Sequence, residues 1–136
     1  MKTLKLQLIG ICIVTLFFSA GSAFAGSVSN VLMGKQNAEA VKLLINCEHK
    51  AALEAIAKEE QADVKKYDKE LGLVLKGVIY QELDKTAELD NLYNEMVVLS
   101  GRDMNTSKTE AIRRVSDMHT EIRLERKKKS GNEFCK

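Results

Sequence analysis

From residue 38 onward, apolar residues recur at three- and four-residue intervals, the spacing of one helix face and not the alternation of a strand. Residues 38–47 align Ala40, Val41, Leu44 and Ile45, with Asn37 ahead of them as a candidate cap. Glu48-His49 reads as a tight joint. A second helix over 50–61 follows with Ala51, Ala52, Leu53, Ala55 and Ile56. The third begins at a cap on Asp63, runs to Leu83, and carries Leu71, Val74, Leu75, Val78 and Ile79. Asp84 offers the cap of a fourth, 85–100, with Ala87, Leu89, Leu92, Tyr93, Met96 and Val97, and Gly101 stands where a terminating glycine belongs. Arg102–Thr106 is the longest polar loop. Ser107 and Glu110 then have the spacing of a capping box, opening a fifth helix to Lys129 on a narrower stripe of Ile112, Val115, Met118, His119 and Ile122. Ser130-Gly131-Asn132 ends it, before the tail Glu133-Phe134-Cys135-Lys136. The chain has no proline, so its breaks fall to Gly, Asn, Asp and Ser. Short joints after the first and third helices make antiparallel hairpins. The pattern predicts an all-α fold: two antiparallel helical hairpins plus a long C-terminal helix.

Residues 1–25 follow another pattern. Lys2 and Lys5 precede an apolar stretch from Leu6 to Phe18, and small residues lead to Ala23-Phe24-Ala25. This is the layout of a cleavable secretory signal peptide, cut so that the mature chain starts at Gly26. A membrane anchor needs about 20 apolar residues, more than this core offers, so no stable anchor is expected after cleavage. Lipidation at Cys12 is disfavoured by Ile11 and by the cysteine's place inside the apolar core. The expected location is the periplasm, with full secretion as the alternative. Residues 26–136 are short enough to be a single helical domain.

Export changes the charge. The chain has 21 Lys and Arg against 19 Asp and Glu, and loss of Lys2 and Lys5 leaves the remainder balanced. That balance argues against a nucleic-acid binder. It also hides an asymmetry. Residues 39–95 hold 13 acids and 8 bases, whereas 102–129 hold 9 bases and 5 acids, so the basic end can pack on the acidic front. The run Arg126–Lys129 reads as a solvated helix end at the negative pole of the helix dipole, the other reading being a site for an anionic partner or membrane surface. Two cysteines survive cleavage, Cys47 and Cys135. In an oxidising compartment such a pair in a small domain reads as a disulfide closing an 88-residue loop, with free thiols or an intermolecular bond as alternatives.

The stretch from Gly77 to Met96 resembles a tetratricopeptide repeat. Gly77 falls on the small position of its first helix, Tyr80 on the aromatic three later, Leu83 on the closing apolar residue and Tyr93 on the aromatic of its second helix. Asp84 stands where a turn glycine is usual, Leu89 and Met96 where alanines are usual, and no proline closes the unit. Residues 38–61 resemble the pattern less, and Ala52 to Leu89 is 37 residues, longer than the family period of about 34. The resemblance implies a concave protein-binding groove lined by the first helix of each hairpin, with outward residues of the third helix, Lys69, Lys76 and Glu82, as candidate contacts. The same architecture without the repeat is a small helical bundle.

Catalytic signatures are missing. His49 in the first joint reads as solvated or capping, and His119 as a boundary residue. The paired carboxylates read as exposed faces. No phosphate loop, zinc spacing or calcium loop occurs, and no cofactor is expected. The expected function is therefore an exported, non-enzymatic helical module or adaptor that binds another protein. The alternative is a periplasmic inhibitor or immunity protein neutralising a toxin or hydrolase, with Arg102 and Asp103 in the polar loop as its contact residues.

Overall fold

A computed structural model of the chain describes residues 34–62, 66–101 and 104–136, with backbone alone at 66, 67 and 104–106. The expectations for residues 1–25, for a cap at Asp63 and for Arg102 and Asp103 lie outside the described residues. The five predicted helices form, as α1 (Lys35–Ile45), α2 (His49–Gln61), α3 (Lys66–Glu82), α4 (Thr86–Ser100) and α5 (Met104–Ser130). The described residues contain no strand, and the fold class is all-α.

The middle position belongs to α3. All four other helices pack against it, while α1 also meets α2 and α5, and α4 meets α5. Its composition explains this. Leu71, Leu73, Val74, Leu75, Val78 and Ile79 are each at most 6% exposed, so most of its circumference is apolar and must be covered. Leu44, Ala52, Ile56, Leu92, Val115 and Ile122 supply that cover from the surrounding helices.

The two hairpin turns are built alike. After α1, the Cys47 amide donates to the Leu44 carbonyl and the Glu48 amide to Leu43, with Cys47 at φ +64°. After α3, the Asp84 amide donates to Gln81 and the Lys85 amide to Tyr80, with Asp84 at φ +54°. Both are Schellman closures, in which one left-handed residue lets two amides satisfy the last carbonyls. Asp84 is thus the left-handed turn residue and not a cap. Glycine is the usual occupant, and an acid there is tolerated because its short side chain suits that region.

Gly77 lies where α3 meets both α4 and α5. A Cβ at that position would come within 2.6 Å of Val115 Cγ2 and 3.0 Å of Leu92 Cδ2. Tyr80 and Tyr93 pack partly buried against the core, whereas Leu83, 42% exposed, sits in the turn.

Two further expected caps are absent. α1 starts at Lys35, so Asn37 is inside it and fully buried, donating through Nδ2 to the Asp68 carbonyl of α3 at 2.9 Å. The α1 terminus is served instead by Glu59 of α2, whose Oε2 accepts from the Gln36 amide at 3.2 Å. α5 starts at Met104, three residues ahead of the expected box, and the Ser107 hydroxyl is buried without a partner. In both cases tertiary burial overrides a local capping preference.

Cys47 and Cys135 are disulfide-bonded, with their Cα atoms 5.6 Å apart. The bond ties the tail to the α1–α2 turn across a separation of 88 residues. Replacing both cysteines by serine is expected to lower unfolding free energy by about 2–5 kcal/mol, read by urea titration with and without reductant. Gly77→Ala is expected to destabilise despite a helix-propensity gain of about 1 kcal/mol. Overpacking against two buried side chains costs about 1–3 kcal/mol, and a variant more stable than the parent would contradict the close approach.

Candidate functional site

The C-terminal end of α3 places Glu82 where α1, α2 and α5 converge. Expected as an outward residue of the third helix, Glu82 is in fact buried, its side chain 8% exposed. Its carboxylate accepts four hydrogen bonds. Arg126 of α5 donates from Nη1 to Oε1 at 2.9 Å and from Nη2 to Oε2 at 3.2 Å. His49 of α2 donates from Nε2 to Oε2 at 2.6 Å, and His119 of α5 from Nε2 to Oε1 at 3.1 Å. An ionised carboxylate only accepts, so each histidine carries its proton on Nε2.

Arg126 is not the solvated base that its basic run suggests. It is 2% exposed, and it also donates to the carbonyls of Leu44 (2.6 Å) and Glu133 (3.1 Å). It therefore ties α1, α3, α5 and the tail together, its Nε alone being unpartnered. Beside it, Arg123 pairs with Glu133 at 2.6 Å and lies 4.3 Å from the Phe134 ring centroid, a cation–π contact holding the tail. The disulfide closes this end: Cys135 Sγ is 3.9 Å from His49 Nε2 and 3.8 Å from Glu82 Oε2.

Elsewhere the basic α5 also meets acids of the preceding helices, Lys108 with Asp90 at 2.8 Å and Arg114 with Glu70 at 3.7 Å. These partly exposed pairs contribute about 0–1 kcal/mol each.

The cluster biases protonation. Burial opposes the Glu82 charge, but hydrogen bonds from Arg126 and His49 and their positive charges outweigh it, holding the carboxyl below its ordinary 4.5. For His119, burial disfavours the imidazolium most. The Glu82 charge opposes that effect and the Arg123 charge adds to it, leaving the imidazole below its ordinary 6.5.

A second feature lies between α2, α3 and α4. Lys69, Leu73 and Lys76 of α3 face Glu95, Val98 and Leu99 of α4, with Glu60 of α2 at one end, around a groove of about 340 Å³. It continues along Tyr80 of α3 beside Glu88 and Asn91 of α4. Val98 is 81% exposed, the most exposed large apolar side chain among the described residues. Lys76 is paired with Glu60. Two expected contact residues, Lys69 and Lys76, are thus on the groove, and Glu82 is not. The first helices of the two hairpins, α1 and α3, both pack against α5, and at the Glu82 end Arg126 bridges them. No protein family, curated protein or solved structure matches this chain.

Sequence reasoning missed Arg126, His49 and Glu82 as a unit. Each is a charged or polar residue on an amphipathic segment. The only hint was the excess of bases in 102–129 over an acidic front.

Both Glu82 and His119 have depressed values in the fold, so their stabilisation is present at higher pH and lost on acidification. The His119 part fades as pH falls through 6.5 toward its folded value, and the Glu82 part as pH falls below 4.5 toward its own. Thermal melts should therefore be level just above neutral pH and decline in two stages below it, with the upper stage absent in His119→Gln. Glu82→Gln leaves Arg126 buried without its counter-charge and should cost about 3–5 kcal/mol at neutral pH, measured by urea denaturation.

Proposed function

We propose that this chain is an exported, non-enzymatic helical module that binds another protein through the α2–α3–α4 groove. The observation that carries this reading is the groove itself: an apolar floor of Leu73 and Leu99, an exposed Val98 at its edge, and charged residues of both signs around it. Buried apolar centres with charged rims are how protein interfaces combine affinity with orientation. Lys69 and Glu95 are both exposed, so one cation and one anion face the groove from opposite helices. The fitting occupant is an amphipathic segment of a partner protein. It would put an apolar side chain over Val98, an acid toward Lys69 and a base toward Glu95.

Export is supported by the charged, apolar and small-residue order of residues 1–25 and by the Cys47–Cys135 disulfide, a bond favoured outside the reducing cytoplasm. Among the described residues no helix is long and apolar enough to cross a membrane. In this reading the periplasm is the working compartment and Gly26 is the mature N-terminus.

The test is affinity capture from an envelope extract with the mature chain and with Val98→Glu and Lys69→Glu variants. Both positions are exposed, so the melting temperature should stay put while the dissociation constant of the captured partner rises about tenfold or more. A partner retained equally by both variants would remove the groove from the interface. N-terminal sequencing of the exported protein checks the cleavage site, and a chain that keeps residues 1–25 would overturn the export reading.

A further inference from the structure

Beyond the groove, the structure places metal-ligand chemistry around the disulfide. We propose that two-electron reduction of Cys47–Cys135 converts this end of the bundle into a binding site for a zinc-like divalent ion, held by Cys47, Cys135, His49 and Glu82. Disulfide and metal would be alternative fastenings of the same place.

The donors are already gathered. His49 Nε2, a Glu82 carboxylate oxygen and Cys135 Sγ lie within 4.8 Å of one another. Zinc bonds of about 2.0–2.3 Å in a tetrahedron place neighbouring ligand atoms about 3.3–3.8 Å apart. The 3.8 Å from Cys135 Sγ to Glu82 Oε2 and 3.9 Å to His49 Nε2 are close to that edge. The 2.6 Å between His49 Nε2 and Glu82 Oε2 is a hydrogen bond, and it opens by less than an ångström or so to admit an ion. Cys47 Sγ lies outside that cluster but only one bond from Cys135 Sγ, so once the bond is cut a rotation of its side chain that parts the sulfurs by about 1.8 Å brings it in as the fourth ligand.

The two oxygens of Glu82 have different surroundings. Oε2 faces His49 and Cys135, while Oε1 accepts from His119 and from Arg126 Nη1. Oε2 can turn to the metal by giving up two contacts, the His49 hydrogen bond at 2.6 Å and the longer Arg126 one at 3.2 Å, while Oε1 stays held by Arg126 and His119. That support is what ligating carboxylates need for fixed orientation. Charge also balances. Two thiolates and a carboxylate around a divalent ion leave one negative charge, and the buried Arg126 guanidinium offsets it.

The steps conserve atoms and electrons. A dithiol gives two electrons and two protons, becoming a disulfide itself, and the Cys47–Cys135 bond becomes two thiols. Each thiol releases its proton on binding the ion, because the thiolate is the ligand. The His49 proton moves from Nε2 to Nδ1, which frees Nε2 to coordinate.

The probe is cobalt(II), which reports thiolate ligation and tetrahedral geometry by absorption. The full-length mature chain is reduced with a phosphine, desalted under anaerobic conditions and titrated. The expected result is one equivalent bound with a sulfur-to-cobalt charge-transfer band and intense visible bands, both erased by zinc. The oxidised chain should show neither band. His49→Ala, which keeps both thiols, should bind more weakly by about tenfold or more, and Cys47→Ser/Cys135→Ser, which cannot form the disulfide, should lose the charge-transfer band. A reduced chain with no charge-transfer band would overturn the proposal. Equal cobalt affinity in the oxidised chain or in the double serine variant would also overturn it. None of these readouts involves a protein partner, so the result stands apart from the groove's role.

Discussion

A buried carboxylate with four donors organises one end of this molecule. Glu82 ends α3, and its partners come from α2 and α5, while Arg126 continues the chain of bonds to α1 and to the tail. Charges taken out of water are unfavourable unless paired and fully hydrogen-bonded, so the elements that supply those bonds must arrive together. A helix that slid by one turn along α5 would strand Arg126. The pair thus sets the register of a long helix whose own apolar stripe is thin, consisting mainly of Ala111, Val115 and Ile122.

The disulfide and this ion pair divide the work of closing the bundle. The covalent bond limits the unfolded chain by joining residues far apart in sequence. It does not choose how α5 lies on α3. That choice comes from Arg126 and from the notch at Gly77, where the absence of a Cβ lets Val115 and Leu92 approach together. A small domain with little core to spare needs both kinds of constraint. The groove lined by Leu73, Val98 and Leu99 lies on the other flank of α3, between α2 and α4.

The helices were legible because an apolar face repeating at helical spacing is a local signal, and the predicted elements agree with the observed ones to within a few residues at each end. Gly101 and Gly131 adopt the left-handed conformation expected of helix-ending glycines. Most of the failures come from burial by another helix. Asn37 and Ser107 were read as caps because their side chains can serve nearby amides. Burial against another helix decided otherwise. Asp84 was read the same way, yet its backbone closes a turn. Glu82 and Arg126 were read as outward charges because nothing near them in the chain is their partner; they are separated by 44 residues.

What the sequence alone determined is the set of amphipathic helices, their pairing into hairpins by short joints, and the presence of a cysteine pair able to bridge. Those properties depend on neighbours within a turn or two, or on composition. Only the tertiary structure decided which charges are buried. It gathered Glu82, His49, His119 and Arg126 beside the disulfide, and left Lys69, Glu95 and Val98 facing solvent along the groove. The physical reason is that burial of a charge depends on what the other helices bring to it, and one helix's periodicity carries no record of that.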